Sequence, residues 1–222
     1  EMYKRSHDQF VALAACAAVT EKVRLGTGIT LVAQRDAIWL AKEAASLDMI
    51  SGGRFELGIG YGWCVEEMRN HGCDYGQRRE LLREKMMLVK ELWTKEEASY
   101  SGKHIHFEES WAWPKPVQNT LPVVMGGAAG PKTAAHIAEF CDGWMPTGRG
   151  IEPGPLGERI AMLRRQGDEA GRGYLPVSIF GTSADSADME RLEQAGVDRV
   201  LFTLPSEDRG KTLPLLDKLA ES

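Results

Sequence analysis

The sequence has few cysteines, and none of them forms a CxxC pair. The four, Cys16, Cys64, Cys73 and Cys141, are too few to cross-link a chain of 222 residues, so we interpret them as free thiols. A bridge between Cys64 and Cys73 is the alternative. Free thiols are typical of a reducing compartment, and residues 1–5 do not lead into the apolar core of a signal peptide. We therefore expect a cytoplasmic protein.

Long apolar runs and blocks of like charge are also missing. The longest uninterrupted apolar run covers residues 10–19, whereas a bilayer-spanning helix needs roughly 18 to 20 residues. Lys and Arg number 27 against 32 Asp and Glu, so the net charge is −5. This mild acidic balance excludes nucleic acid and an anionic membrane surface as the expected main partners.

The chain contains a regular alternation of strand-like and helix-like segments. A hairpin-like insertion at 100–109 is set aside from this count. Each of the six remaining strand-like segments is followed by a helical pattern. The strand-like segments cover residues 23–31, 54–60, 121–125, 142–145, 177–180 and 199–204. Such alternation predicts an α/β fold with parallel βαβ units. An open doubly wound sheet could use six strands, whereas a closed barrel needs eight and about 250 residues. Because a helical pattern at 8–21 precedes the first strand, we expect a (β/α)8 TIM barrel, with residues 1–222 forming one domain whose first two strands are missing.

Two of these strands carry glycines on one side. Side chains alternate along a strand, so Gly26 and Gly28 share a face of the first strand, and Gly58 and Gly60 share a face of the second. Glycine weakens a strand, and its repeated use suggests that a flat ligand approaches the backbone closely. Tight packing inside a barrel is the alternative explanation.

The glycines at the end of the second strand do not form a dinucleotide-binding fingerprint. A GxGxxG motif that began at Gly58 would need a third glycine where Trp63 stands. No acidic residue ends a following strand about 20 residues later. A Rossmann-type site is therefore excluded.

The segment 123–133 is the best candidate for an anion site. It runs from a strand through small residues into a helix with Pro131 at its first position, so free backbone N–H groups and the helix dipole point into the loop. Pro131 breaks the spacing of a P-loop. A tight strand-to-helix turn is the alternative. The residues of interest in this segment are Gly126, Gly127, Ala128 and Thr133.

Other chemically attractive residues are less specific. His104 and His106 fall on one face of a strand-like segment, but no third metal ligand has a recognisable spacing, so we expect no metal site. Aromatic residues near strand ends either stack on a planar cofactor or pack in the core; they are Tyr61, Trp63, Trp111 and Trp113. No catalytic nucleophile arrangement is recognisable, so the catalytic residues are left unassigned.

Several stretches in order along the chain resemble the luciferase-like monooxygenase family, and within it the branch that uses the deazaflavin coenzyme F420. They are FVALAA at 10–15, AVTEKVRLGTG at 18–28, AKEAASLD at 41–48, SGGRF at 51–55, GIGYGW at 58–63, WPKPVQ at 113–118, GG at 126–127 and DGW at 142–144. Members of this family are (β/α)8 barrels with a further strand-helix-strand portion ahead of the stretch where this chain begins.

The resemblance implies how a coenzyme would be held. A non-prolyl cis peptide supports the ring in family members and maps to Gly28–Ile29. The phosphate-binding loops map to Tyr61–Gly62 and Gly126–Gly127. The implied cofactor-binding residues are Gly28, Ile29, Thr30, Gly60, Tyr61, Gly62, Gly126, Gly127, Ala128 and Thr133.

The resemblance also implies an activity, namely hydride transfer between C5 of coenzyme F420 and a small organic substrate. An FMN-dependent monooxygenase that works with a flavin reductase is the main alternative, followed by a flavin- or deazaflavin-binding protein without turnover and by a non-redox isomerase or aldolase. Trp63 replaces the acidic residue of the glucose-6-phosphate dehydrogenases in this branch, which disfavours oxidation of sugar phosphates. Family members also lead us to expect a homodimer.

Overall fold

The computed structural model describes residues 6–128, 130–147 and 153–220, so that residues 1–5, Ala129, 148–152 and 221–222 lie outside the description. Contacts divide the chain into two units, Glu1–Val124 and Met125–Ser222. A search of the described residues finds no helix with the length and apolar character needed to cross a membrane.

The helices of the first unit begin where short acidic side chains cap them. The Asp8 carboxylate accepts hydrogen bonds from the N–H groups of Phe10 and Val11, at 3.0 and 3.1 Å, and Asp36 caps the second helix in the same way. The helices are α1 (Gln9–Ala18), α2 (Ala37–Ile50), α3 (Val65–Asn70) and α4 (Arg78–Thr94). The sequence predicted three of these four; the short α3 was missed.

The first strand of the chain is interrupted, and this corrects the prediction of one strand over 23–31. It forms β1 (Leu25–Gly26) and β2 (Thr30–Leu31), and both pair in parallel with β3 (Phe55–Gly60). Between them the Thr27 hydroxyl donates to Gly58 O at 2.7 Å and so takes the place of a backbone ladder bond.

The core of the first unit lies between β3 and its helices. Phe55, Leu57 and Ile59 are fully buried, as their alternation along β3 predicts. Buried side chains from α2 and α4 surround them, among them Leu40, Ala44, Leu82, Met86 and Val89. The Leu57 N–H donates to Pro122 O at 2.8 Å, which places the approach to β6 (Val123–Gly126) beside β3.

The predicted insertion at 100–109 is confirmed as an antiparallel hairpin of β4 (Ala98–Ser101) and β5 (His106–Ser110). The buried carboxylate of Glu84 on α4 anchors its turn. This carboxylate accepts hydrogen bonds from the backbone N–H groups of Lys103, His104 and Ile105 at 2.9, 2.7 and 2.9 Å. Burial alone would raise the pKa of Glu84, but these hydrogen bonds hold the pKa below its usual value.

The second unit continues the parallel α/β pattern. The end of β6 is adjacent to β7 (Gly143–Met145). A parallel bridge between Trp144 and Val177 joins β7 to the residue before β8 (Ser178–Thr182). Strand β8 pairs in parallel with β9 (Arg199–Phe202). The helices are α5 (Pro131–Phe140), α6 (Pro153–Glu169), α7 (Ser186–Gln194) and α8 (Arg209–Ala220). The predicted α/β class with parallel strands is confirmed.

Candidate functional site

Two segments meet beside the carboxyl end of β3, namely Gly28 to Thr30 at the start of β2 and Gly60 at the end of β3. We call Gly28, Ile29, Thr30 and Gly60 the strand-end wall. The register pairs Thr30 with Ile59 and Leu31 with Gly60. The Ile29 side chain lies over Gly60, because a Cβ built on Gly60 would lie 1.8 Å from Ile29 Cδ1. Only glycine leaves that space free. The Gly28–Ile29 peptide is cis, which confirms that sequence-based mapping.

Hydrogen bonds behind the strand-end wall hold its backbone in place. Thr30 is fully buried, and Gln9 on α1 donates to its Oγ1 at 2.8 Å. The Thr30 side chain therefore faces the protein interior, and the residue as a whole is covered. Gly28 is exposed and Ile29 is half-buried, so these two residues present the accessible part of the wall.

Lys85 and Cys73 support the turn that follows β2. The Lys85 ammonium donates to Ala33 O at 2.8 Å and also to Arg35 O, and the Cys73 thiol donates to Ala33 O at 2.9 Å. Burial lowers the pKa of Lys85. Sequence reasoning missed both contacts, since the residues are about 40 to 50 positions from the turn.

The loop after β3 contains two aromatic residues that differ in burial. Tyr61 is 9% exposed, and the guanidinium carbon of Arg79 lies 4.7 Å from its ring centroid. Gly62 has a φ of +77°, and a Cβ there would lie 2.5 Å from Met68 Cε. Trp63 is 76% exposed. Tyr61 is thus a packing residue, whereas Trp63 faces solvent.

In the second unit, the described residues between β6 and α5 are Gly127, Ala128 and Gly130. Gly126 is buried, whereas Gly127 and Ala128 are exposed. The Gly127 carbonyl accepts a hydrogen bond from Trp144 Nε1 at 3.0 Å, and its φ of +115° favours glycine. A Cβ on Gly127 or Gly130 would meet no atom within 4 Å. This loop therefore has room for an anion before α5, whose first N–H groups lack partners within the helix.

Thr133 is placed differently from the rest of this loop. Its side chain is 1% exposed and lines a small cavity with residues of α5, β7 and α6, among them Ile137, Trp144 and Leu163. The Thr133 hydroxyl therefore faces the interior of the second unit.

Three of the family-like stretches lie near the opposite end of β3 and are joined by hydrogen bonds. Arg54 donates to the carbonyls of Ala17, Thr20, Val23 and Ser51 at 3.1, 2.9, 2.8 and 2.7 Å. The fully buried Asp48 accepts from the Val117 and Gln118 N–H groups at 2.8 and 3.1 Å. The SGGRF, AKEAASLD and WPKPVQ stretches thus share a structural function, which pattern alone did not reveal.

The remaining candidates from the sequence are His104 and the four cysteines. His104 Nε2 lies 3.1 Å from Glu80 Oε2, and ligand atoms of Glu80, Glu84 and His104 lie within 4.8 Å of one another. The Glu84 oxygens already accept three backbone N–H groups, so this cluster is explained by hydrogen bonding. All four cysteines are free thiols, as predicted, and Cys64 and Cys73 form no bridge.

Known proteins resemble this chain both in sequence and in fold. The uncharacterized protein Rv0953c of Mycobacterium tuberculosis (strain ATCC 25618 / H37Rv) is 38% identical over 221 residues, which are 99% of this chain and 77% of that protein. An F420-dependent secondary alcohol dehydrogenase, solved with an F420-acetone adduct, superposes with a TM-score of 0.78 at 16% identity over 89% of this chain and 78% of that chain. The monooxygenase RslO1 from Streptomyces bottropensis superposes with a TM-score of 0.73 at 21% identity over 96% of this chain and 66% of that chain.

These two solved structures show the fold, and the sequence comparison shows the family. The sequence pattern of the luciferase-like monooxygenases matches residues 1–211. The ordered stretches that suggested this resemblance, the α/β architecture with parallel strands and the relative from M. tuberculosis agree with that match. The chain belongs to the luciferase-like monooxygenase family.

Proposed function

We propose that this protein binds coenzyme F420 and catalyses hydride transfer between the coenzyme and a small organic substrate. The observation that carries this proposal is the strand-end wall, where Ile29 packs over Gly60 while Gly28 and part of Ile29 stay accessible. A planar ring fits such a surface without displacing side chains. The fold shared with the F420-dependent secondary alcohol dehydrogenase supports the choice of coenzyme.

The bound deazaflavin would supply the hydride chemistry, while the protein supplies position and charge. Ile29 and the Gly28 backbone would support one face of the ring. In the second unit, the loop at Gly127 and Ala128 would offer backbone N–H groups to a phosphate, which the positive end of α5 favours. We assign no side chain as proton donor or acceptor.

The second candidate is an FMN-dependent monooxygenase that receives reduced flavin from a partner reductase. The fold shared with the monooxygenase RslO1 favours this alternative. The strand-end wall would suit the flavin ring equally well, because its apolar surface has no group that distinguishes the two tricyclic rings. A coenzyme-binding protein without turnover would use the same surface.

A coenzyme titration tests the proposal. The purified protein is titrated separately with F420 and FMN, and binding is followed by calorimetry and by the melting temperature. We expect saturable binding of F420 with an increase in stability of about 2.7 kcal/mol at about 100 times the dissociation constant. Tight binding of FMN without binding of F420 would overturn the proposal in favour of the monooxygenase. Binding of F420 without turnover on a broad panel of alcohols, aldehydes and enones would favour the non-catalytic protein.

We also propose that the protein acts in the cytoplasm as a homodimer. The four free thiols support a reducing compartment. Exposed apolar side chains on α1 and α2, among them Val11, Val19 and Trp39, at 70%, 82% and 69% exposure, support association. Sedimentation at several protein concentrations measures the oligomeric state, and a monomer at all of them would contradict the homodimer.

A further inference from the structure

A groove lies beside the carboxyl end of α4, in the first unit. It has a volume of about 290 Å³, and Glu96, Glu97, Trp111 and Trp113 line it. Trp111 is 66% exposed and Trp113 is 53% exposed, although large aromatic side chains are usually well buried. The segment of Trp113 continues to Gln118, which donates to Phe55 O at the start of β3. The chain leaving the groove thus leads to the start of β3.

Two glutamates and the negative end of the α4 helix dipole lie at this groove. The last carbonyls of α4 carry the negative end of the helix dipole, and Glu96 and Glu97 follow within three residues of its end at Thr94. Lys95 is occupied by an ion pair with Glu91. Glu97 has no ion-pair partner within the ranges that the structure describes. The groove thus has a carboxylate available for a cationic ligand.

Aromatic surface adds a second attraction for a cation. The ammonium of Lys115 lies 5.4 Å from the Trp113 ring centroid, and it also donates to Leu92 O at 2.8 Å. Trp113 therefore already accepts a cation on its ring, while Trp111 leaves most of its ring open to solvent. Tryptophan faces attract cations most strongly among the aromatic side chains, and weakly hydrated alkylammonium groups benefit most.

We propose that this groove binds a small organic cation of the methylated or quaternary ammonium class. Trp111 contacts the alkylammonium group and the carboxylate of Glu97 neutralises its charge, whereas Trp113 only adds apolar surface, because the Lys115 ammonium already lies over its ring and interacts with Glu96. A volume of about 290 Å³ matches a small molecule. The site does not depend on the coenzyme, because none of its lining residues belongs to the strand-end wall or to the loop before α5.

The full chain is titrated by calorimetry with choline as the probe, and with 3,3-dimethyl-1-butanol as its uncharged equivalent of the same shape. We expect saturable binding of choline and no binding of the alcohol. Trp111→Ala should weaken choline binding by about fivefold or more, whereas Trp113→Ala and Glu97→Gln should each weaken it by a smaller factor. Trp39→Ala removes an equally exposed tryptophan from α2 and should leave binding unchanged.

Three results would overturn the proposal. The first is the absence of saturable choline binding, the second is equal binding of the uncharged alcohol, and the third is unchanged affinity in both tryptophan variants. Circular dichroism checks that each variant folds. Trp111→Phe, which keeps an aromatic ring, should show an intermediate affinity if the ring itself binds the cation.

Discussion

At the scale of single residues, Gly60 determines the shape of the strand-end wall. Gly60→Ala would place a methyl group 1.8 Å from Ile29 Cδ1, so the Ile29 side chain must move. We expect a loss of about 1 to 3 kcal/mol in the free energy of unfolding, measured with urea, and weaker coenzyme binding. Ile29→Ala in the same chain should recover most of that stability, because it removes the clashing atoms.

Gly26→Ala is the matched control for this experiment. Its new Cβ would lie 3.5 Å from Glu56 O, which is an ordinary contact. We expect a much smaller loss than at Gly60. Equal losses in the two variants would contradict the packing of Ile29 over Gly60.

Glu84 gives a prediction on pH at the same scale. Its folded-state pKa lies below the unfolded value, since three backbone N–H groups outweigh the effect of burial. Its stabilisation is therefore complete above the unfolded pKa of about 4.3 and is lost as the pH falls through the lower folded pKa. Glu84→Gln should lower the free energy of unfolding by about 1 to 3 kcal/mol near pH 7 and flatten its decline at acid pH.

Urea unfolding from about pH 7 to about pH 3 measures this dependence. Glu108→Gln, at an exposed position of the same hairpin, is the control and should change neither the stability nor its pH profile. An unchanged acid decline in Glu84→Gln would show that the Glu84 carboxylate does not stabilise the hairpin turn through its charge.

At the scale of elements, the first turn of α5 is the proposed phosphate site. Gly130 is its N-cap with a φ of −152° and no side-chain cap, and a Cβ there meets nothing within 4 Å. Gly130→Asp should therefore keep or slightly raise stability, by a few tenths of a kcal/mol, because aspartate caps helices well. Its negative charge should nevertheless weaken coenzyme binding at least about tenfold, since it would repel a phosphate.

Gly130→Asn separates these two effects. Asparagine caps the helix without a charge, so this variant should bind the coenzyme much like the parent chain. Calorimetric titration of both variants with the coenzyme provides the comparison. Equal affinity of Gly130→Asp and Gly130→Asn would contradict a phosphate at this helix end.

At the scale of the whole molecule, the prediction of a single domain is tested by whether the two units unfold in one cooperative transition. Five of the six tryptophans lie in Glu1–Val124, and Cys141 lies in Met125–Ser222. In a chain with Cys16→Ser, Cys64→Ser and Cys73→Ser, tryptophan fluorescence reports on the first unit, and labelling of the buried Cys141 thiol reports on the second. One domain predicts coincident urea transitions. Two separate midpoints would show that the units unfold independently.

The order and type of most elements could be predicted from the sequence. Periodicity and capping are local, so Asp36 marked the start of α2 and Pro131 the start of α5. The ordered stretches also predicted the family and the position of the Gly28–Ile29 cis peptide, both of which are confirmed. The short α3 was missed because six residues carry too little periodicity.

What the sequence by itself determined is therefore the α/β class, the family and the position of the Gly28–Ile29 cis peptide. Only the tertiary structure decided what those residues touch. It showed that Ile29 fills the space over Gly60, that Thr30 and Thr133 turn their hydroxyls inward, and that Asp48 accepts hydrogen bonds about 70 residues away. The physical reason is that backbone propensity acts between neighbours in the chain, whereas packing and hydrogen bonding join residues whose separation in sequence carries no signal.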